Sequence, residues 1–178
     1  MTVASRKQES QWVLRAQCAD RDALELLLDS VQPSLRRYVL GITGPAHADD
    51  VRQDALIAIA RDLKWLEDPD LFRAWAFRIA SRIAFRHLKK ERRWQGDDSR
   101  LEELPAPESR PPDELLQTLL ATDVISPASR AVFVLHFQEE MRLPEVAAIL
   151  EIPLGTVKSR LAYGLAAIRK HLGNDRSF

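Results

Sequence analysis

The chain has 178 residues, of which 46% are hydrophobic, enough for one medium domain or two small ones. Its 26 basic and 26 acidic residues cancel, so net charge gives no hint of a nucleic-acid partner, and any electrostatic grip on DNA would be modest without a larger basic partner. The single cysteine, Cys18, excludes an internal disulfide and a multi-cysteine metal site, and reads as a small core residue. No apolar run approaches the roughly 18 residues of a membrane span. The N-terminus, with Arg6 and Lys7 followed by polar residues, lacks the apolar core of a signal peptide, so a cytoplasmic protein is expected.

Strand signals are almost absent, no internal repeat stands out, and nearly every segment has helical periodicity, which predicts an all-α fold. Ser10 is placed to cap a first short helix through Cys18. A second helix is expected from about Asp22 to Ile42, with Leu24, Leu27, Leu28, Val31, Leu35, Tyr38, Val39 and Ile42 inward and a bend or interruption at Pro33. A third is expected from about Ala46 to Leu66. Its apolar face is Val51, Ala55, Leu56, Ile59, Leu63 and Leu66; the opposite face carries Asp50, Gln53, Asp54, Ile57, Arg61 and Lys64. An isoleucine among ion-pairing and amide groups has the layout of a protein interface, though a lone surface isoleucine needs no such explanation. His47, Asp49, Asp50 and Asp54 do not make a convincing metal site, because adjacent helical residues splay about 100° apart and no second His/Asp cluster exists to converge with them.

After a turn at Lys64–Asp70, with Asp70 as an expected N-cap, a fourth helix should run from Leu71 to about Arg93. Leu71, Phe72, Trp75, Ile79 and Ile83 form its expected buried stripe. Beside it, Trp75, Arg78, Arg82, Arg86, Lys89 and Arg93 recur at three- or four-residue spacing. Cations beside an aromatic ring suit a nucleic-acid strand being unstacked, since charge follows phosphates and rings stack on bases. The bland alternative is a basic amphipathic helix with Trp75 in the core. From Trp94 to Pro112 the chain is acidic and proline-rich, too poor in apolar residues for a core, and reads as a linker.

Helical pattern resumes at Asp113–Ala121 and again after Ser126-Pro127, a cap followed by proline at the first helical position, with a dense apolar run from Ala131 to Phe137. His136 reads there as a satisfied or exposed histidine. The last stretch, Leu143 to Leu172, reads as two helices joined by a tight turn at Glu151, Ile152 and Pro153. Leu143, Val146, Ala147 and Leu150 line the first; Val157, Leu161, Leu165, Ile168 and Leu172 line the second. The second helix's other side carries Gly155, Ser159, Tyr163, Ala166 and Lys170, flanked by Lys158 and Arg160. A small, polar, cationic face at a helix N-terminus suits a DNA major groove, and the pair reads as a helix-turn-helix whose second helix is the reader.

The wording of these segments resembles one family. Gly155-Thr156-Val157-Lys158-Ser159-Arg160-Leu161 resembles region 4 of extracytoplasmic-function (ECF) sigma factors, the promoter-recognition subunits of bacterial RNA polymerase. Ala48-Asp49-Asp50-Val51-Arg52-Gln53-Asp54 is similar to sigma region 2.2, and Phe72-Arg73-Ala74-Trp75 with Phe77-Arg78-Ile79-Ala80 to regions 2.3 and 2.4. The resemblance implies a region 2-like helical domain over 1–93, a flexible linker over 94–112 and a region 4-like domain over 113–178. It implies docking on core RNA polymerase, at the β′ clamp and β flap, with Asp50, Gln53, Asp54, Ile57 and Arg61 as the polymerase contacts. It also implies minus-10 melting by Trp75, Arg78, Arg82, Arg86 and Lys89, with Trp65 near a base pocket, and minus-35 recognition by Thr156, Lys158, Ser159, Arg160 and Tyr163. An anti-sigma partner is expected; no cofactor is.

Departures are also visible. Glu151 stands where the family usually has glycine in the turn, at a cost of roughly 1 kcal/mol for a left-handed non-glycine residue. Arg82 and Arg86 stand where asparagine and aspartate are common, and Tyr163-Gly164-Leu165 replaces an arginine-rich tripeptide. A free-standing DNA-binding regulator would explain the C-terminal motif but leaves 50–93 without a task. An enzyme finds no nucleophile–base pair, phosphate loop or metal cluster to support it.

Overall fold

The computed structural model describes residues 6–95 and 125–175. Among them are seven α-helices and no strand: α1 (Arg6–Gln17), α2 (Arg21–Thr43), α3 (Ala48–Asp62), α4 (Phe72–Gln95), α5 (Pro127–Phe133), α6 (Leu143–Leu150) and α7 (Leu154–Asp175). The expected linker residues 96–112 and the expected helix over 113–121 lie outside the described residues.

Helix boundaries follow their caps. Asp20 accepts the Ala23 amide at 3.0 Å and opens α2, while the preceding turn carries Ala19 at φ 66°. Ser126 accepts from the Ser129 amide at 3.2 Å with Pro127 behind it, as the cap-then-proline pattern predicts. Glu145 reaches back to the Arg142 amide at 2.7 Å and starts α6.

Two expected caps are corrected. Ser10 sits one turn inside α1, where its hydroxyl bonds the Arg6 carbonyl at 2.9 Å and also Asp70. Asp70 caps nothing: Asp68 accepts the Asp70 amide at 3.0 Å and opens a short 3-10 turn, Pro69–Leu71, ahead of α4. A side chain bonded to a distant element is invisible to a local pattern. Cys18 is exposed, because α1 ends at Gln17 and the cysteine falls on the turn rather than on an inward face.

Pro33 does not interrupt α2. It lies on the exposed side, so the carbonyl deprived of its partner can face water, while Val31, Ser34 and Leu35 around it are buried. Packing of α2 against α1, α3 and α4 outweighs the loss of one helical bond. That packing is close because α4 presents small residues inward. Its buried positions are Phe72, Ala76, Phe77, Ala80, Ser81 and Ala84, so the true stripe is rotated from the expected one. Leu71 is exposed, and Trp75, Ile79 and Ile83 are half-buried beside the core. Across this contact the Tyr38 and Ser81 hydroxyls meet at 2.6 Å, and burial pushes the Tyr38 phenol well above its usual pKa, so it stays protonated. The Tyr38 and Phe77 rings meet nearly at right angles, 5.2 Å between centroids.

The C-terminal helices form a second unit. α5 continues into a π turn over Val134–Gln138, and Ala131, Val132, Phe133, Val134, Leu135 and Phe137 are all buried. His136 is satisfied by the Met141 carbonyl at 2.8 Å. α7 lies on α5 and α6, with Val157, Leu161 and Leu165 inward as expected; α6 buries Val146 and Ile149, the latter absent from the expected face. The two units touch: α2 meets α5, α4 meets α6, and their buried residues belong to one hydrophobic cluster.

Candidate nucleic-acid interface

The turn between α6 and α7 determines how the last helix is presented. Glu151 takes the left-handed conformation, φ 56° and ψ 42°, so the chain reverses there although no glycine is present. α7 then starts at Leu154, one residue after Pro153, whose carbonyl accepts the Val157 amide at 3.2 Å. With Val157 and Leu161 anchored inside, Gly155, Lys158 and Tyr163 face solvent and Thr156 and Ser159 are half-buried at the surface. The Ser159 hydroxyl bonds the Thr156 carbonyl at 3.1 Å. The helix therefore offers a lysine, two hydroxyl side chains and a phenol on one side of its first turns.

Arg160 differs from Lys158. It is half-buried, its Nε has no hydrogen-bond partner, and desolvation pulls its pKa below the usual arginine value. It flanks the exposed face of Lys158 and Tyr163 rather than standing on it. Gly164 explains part of the departure Tyr163-Gly164-Leu165: a Cβ there would lie 2.3 Å from Cε2 of buried Phe133, so only glycine lets α7 approach α5 this closely.

On α4 the cations again divide. Arg82, Arg86 and Lys89 are exposed. Arg78 is half-buried, with its Nε buried and unbonded. Trp75 is half-buried, its ring 6.5 Å from that of Phe72, so it packs on the core while touching the surface. Trp65 is 72% exposed, with Lys64 Nζ 5.1 Å from its ring, an open aromatic surface in the turn after α3.

Arg82 is already engaged: its guanidinium bonds the Glu151 carboxylate, with Nε to Oε2 at 3.2 Å. The pairing raises the pKa of Arg82 and lowers that of Glu151, in each case mainly through this hydrogen bond. Arg73, from the same helix, points elsewhere. It grips buried Glu9 of α1 bidentately, at 2.7 to 3.1 Å, and lies 3.6 Å from Glu139. Nothing in the local pattern flagged Glu9, a buried acid in an otherwise polar short helix.

α3 supplies a third face. Asp50, Gln53, Asp54, Ile57 and Arg61 are all exposed, with Ile57 at 56% among them. Arg61 is bound by its neighbour Asp62 at 2.7 Å, which raises the arginine's pKa and lowers the aspartate's. Between α3 and α4 runs an open groove of about 510 Å³, with Asp54, Ile57 and Arg61 on one side and Arg82 and Arg86 on the other. The structure thus sets the α3 face and the α4 cations along one groove. His47 opens α3 with its ring 4.6 Å from that of His87. Among the described residues no three His, Cys, Asp or Glu side chains converge as metal ligands, and no helix is long and apolar enough to cross a membrane.

Comparison with known proteins matches two stretches of the chain to protein families. Residues 27–94 match Sigma-70 region 2 and residues 121–170 match Sigma-70, region 4. The ECF RNA polymerase sigma factor SigL of Mycobacterium tuberculosis is 30% identical over 86% of this chain and 91% of its own length. The RNA polymerase sigma-H factor of Pseudomonas aeruginosa is 28% identical over 94% of this chain and 95% of its own. In fold, the chain is similar to the sigma factor RpoE of Bartonella quintana in its complex with the anti-sigma factor NepR, with a TM-score of 0.65 at 22% identity, covering 85% of this chain and 98% of that one. A helix-turn-helix unit behind a helical unit with a cationic fourth helix, matched over both parts, places this chain among the ECF RNA polymerase sigma factors, which direct promoter recognition and transcription initiation.

Proposed function

We propose that this sigma factor divides its work among the three faces described above. Residues 1–93 form the unit that holds core polymerase and engages the minus-10 element, 94–112 tether it, and 113–178 form the unit for the minus-35 element. Asp50, Gln53, Asp54, Ile57 and Arg61 dock on the polymerase, with exposed Ile57 as the apolar anchor inside a polar rim. Arg82, Arg86 and Lys89 follow the backbone of the opened minus-10 strand, while Trp75 and Arg78, half-buried, shape the edge of that track. Thr156, Lys158, Ser159 and Tyr163 meet the minus-35 duplex, and Arg160 supports them from its half-buried position.

The observation that carries this reading is the presentation of Lys158 and Ser159 at the surface of α7's first turns, immediately after a left-handed turn. The chain acts without chemistry of its own, in the cytoplasm, and is restrained by a protein inhibitor of the anti-sigma kind, as the RpoE relative is bound by NepR. Transcription in vitro with core polymerase on genomic fragments, followed by start-site mapping, tests it. The expected result is initiation at a discrete set of sites sharing minus-35 and minus-10 sequences. No sigma-dependent transcript, together with no association with core polymerase, overturns it.

A further inference from the structure

Folding brings together two of the chain's four histidines, at positions 47 and 87. His47 occupies the residue before α3, and His87 stands in the second half of α4. The His47 side chain makes no cap bond to the α3 amides, so it is not there to close the helix end. The two rings meet with centroids 4.6 Å apart, tilted by 51° rather than stacked. Both residues are half-buried, so the pair is within reach of solvent. Within α3 the acids near His47 splay apart, but the fold adds an imidazole from another helix.

The spacing suits a shared metal ion. Imidazole nitrogen binds such ions at about 2.0–2.1 Å, which sets each ring centre roughly 3.2 Å from the ion. Two rings at right angles about the ion then have centres about 4.5 Å apart, and at the tetrahedral angle about 5.2 Å. The observed 4.6 Å fits the right-angled case. Charge is available to balance a cation: Asp50 and Asp54 follow His47 on the same side of α3, and Asp54 lines the α3–α4 groove together with His87. Arg86 and Lys90 line that groove as well and oppose a cation. Among the described residues no third His, Cys, Asp or Glu joins the pair. With two side-chain ligands, the remaining positions fall to water and the affinity is modest.

We propose that His47 and His87 form a two-imidazole site for a divalent transition-metal ion. Right-angled nitrogen donors fit the tetragonal geometry of copper(II) or nickel(II) better than tetrahedral zinc. The ion ties the start of α3 to α4 and so fastens the two helices at one end of their groove. Nothing in this site depends on which promoter or polymerase contacts those helices make.

The test uses the untagged full chain carrying Cys18→Ser, which removes the exposed thiol, with Cu2+ alone as the probe. Pulsed electron paramagnetic resonance at one equivalent counts the imidazoles on the ion, and two are expected. His47→Ala and His87→Ala should each leave one and weaken binding at least about tenfold in competition with glycine, since losing a ligand costs no less than losing an outer partner. His171→Ala should change neither result. The two rings also pack on each other, so His87→Phe, which keeps an aromatic ring there, should lose binding as His87→Ala does while far-UV circular dichroism stays unchanged. Ni2+ should raise the melting midpoint of the Cys18→Ser chain and leave that of either histidine variant where it was. One imidazole or none before any histidine is replaced, two imidazoles surviving in both single variants, or equal Ni2+ shifts in all chains would each overturn the site.

Discussion

α4 and α7 solve the same problem on different scaffolds. Each holds a cationic face outward by burying very small residues on its other side. On α4 these are Ala76, Ala80, Ser81 and Ala84, and on α7 it is Gly164 against Phe133. Close approach sets the rotation of the helix, and rotation decides which cations reach water. Each helix accordingly carries two kinds of arginine or lysine. Arg82, Arg86, Lys89 and Lys158 are exposed, whereas Arg78 and Arg160 keep a buried Nε without a partner. Periodicity treats the members of such a stripe as equivalent; packing separates them. The helices differ in that α4 also spends a cation, Arg73, on a buried acid.

That last difference yields the largest expected effect. Arg73→Ala leaves Glu9 and Glu139, with side chains 4% and 5% exposed, beside a missing guanidinium. Loss of about 3–5 kcal/mol is expected for breaking such a buried pair, read as a lower urea midpoint; a change under about 1 kcal/mol would show that water already reaches these acids.

Gly164→Ala comes next. The added methyl must displace Phe133, and a loss of about 1–3 kcal/mol is expected although alanine is the better helix former. Gly155 is the control on the same helix. A Cβ there meets nothing within 4 Å, so Gly155→Ala should gain up to about 1 kcal/mol in thermal unfolding. Equal signs for the two glycines would contradict the packing account of how α7 is held.

Lys158→Ala sharpens the distinction between exposed and packed cations. It should weaken minus-35-dependent transcription by about 1–3 kcal/mol of binding while leaving unfolding within about 0.5 kcal/mol of the parent. Arg160→Ala should instead change stability, since its stem is packed and its head desolvated. Identical profiles for the two, in paired transcription and melting assays, would erase the distinction.

Much of the fold was legible beforehand. The all-α class, the boundaries of α2 and α4 to within two residues, the Ser126-Pro127 start and the turn before α7 follow from caps and apolar spacing, which act over a few residues. The candidate faces were legible for the same reason: once Val157 and Leu161, or Val51 and Ala55, are buried, helical geometry turns Lys158 or Gln53 and Asp54 outward. The misses were all relational. Ser10 and Asp70 look like caps until a partner 60 residues away is present; Cys18 looks buried until α1 ends one residue before it.

From the sequence alone came the helices, the inward stripes of α2, α3 and α7, the left-handed turn at Glu151 and the family, because each depends on interactions between near neighbours or on contiguous wording. Tertiary structure alone decided the rotation of α4, the separate fates of Arg73, Arg78 and Arg82, and the meeting of Glu139 and Glu151 with arginines of the other unit. Such pairings join residues tens of positions apart, and their strength depends on burial and geometry that no local spacing encodes.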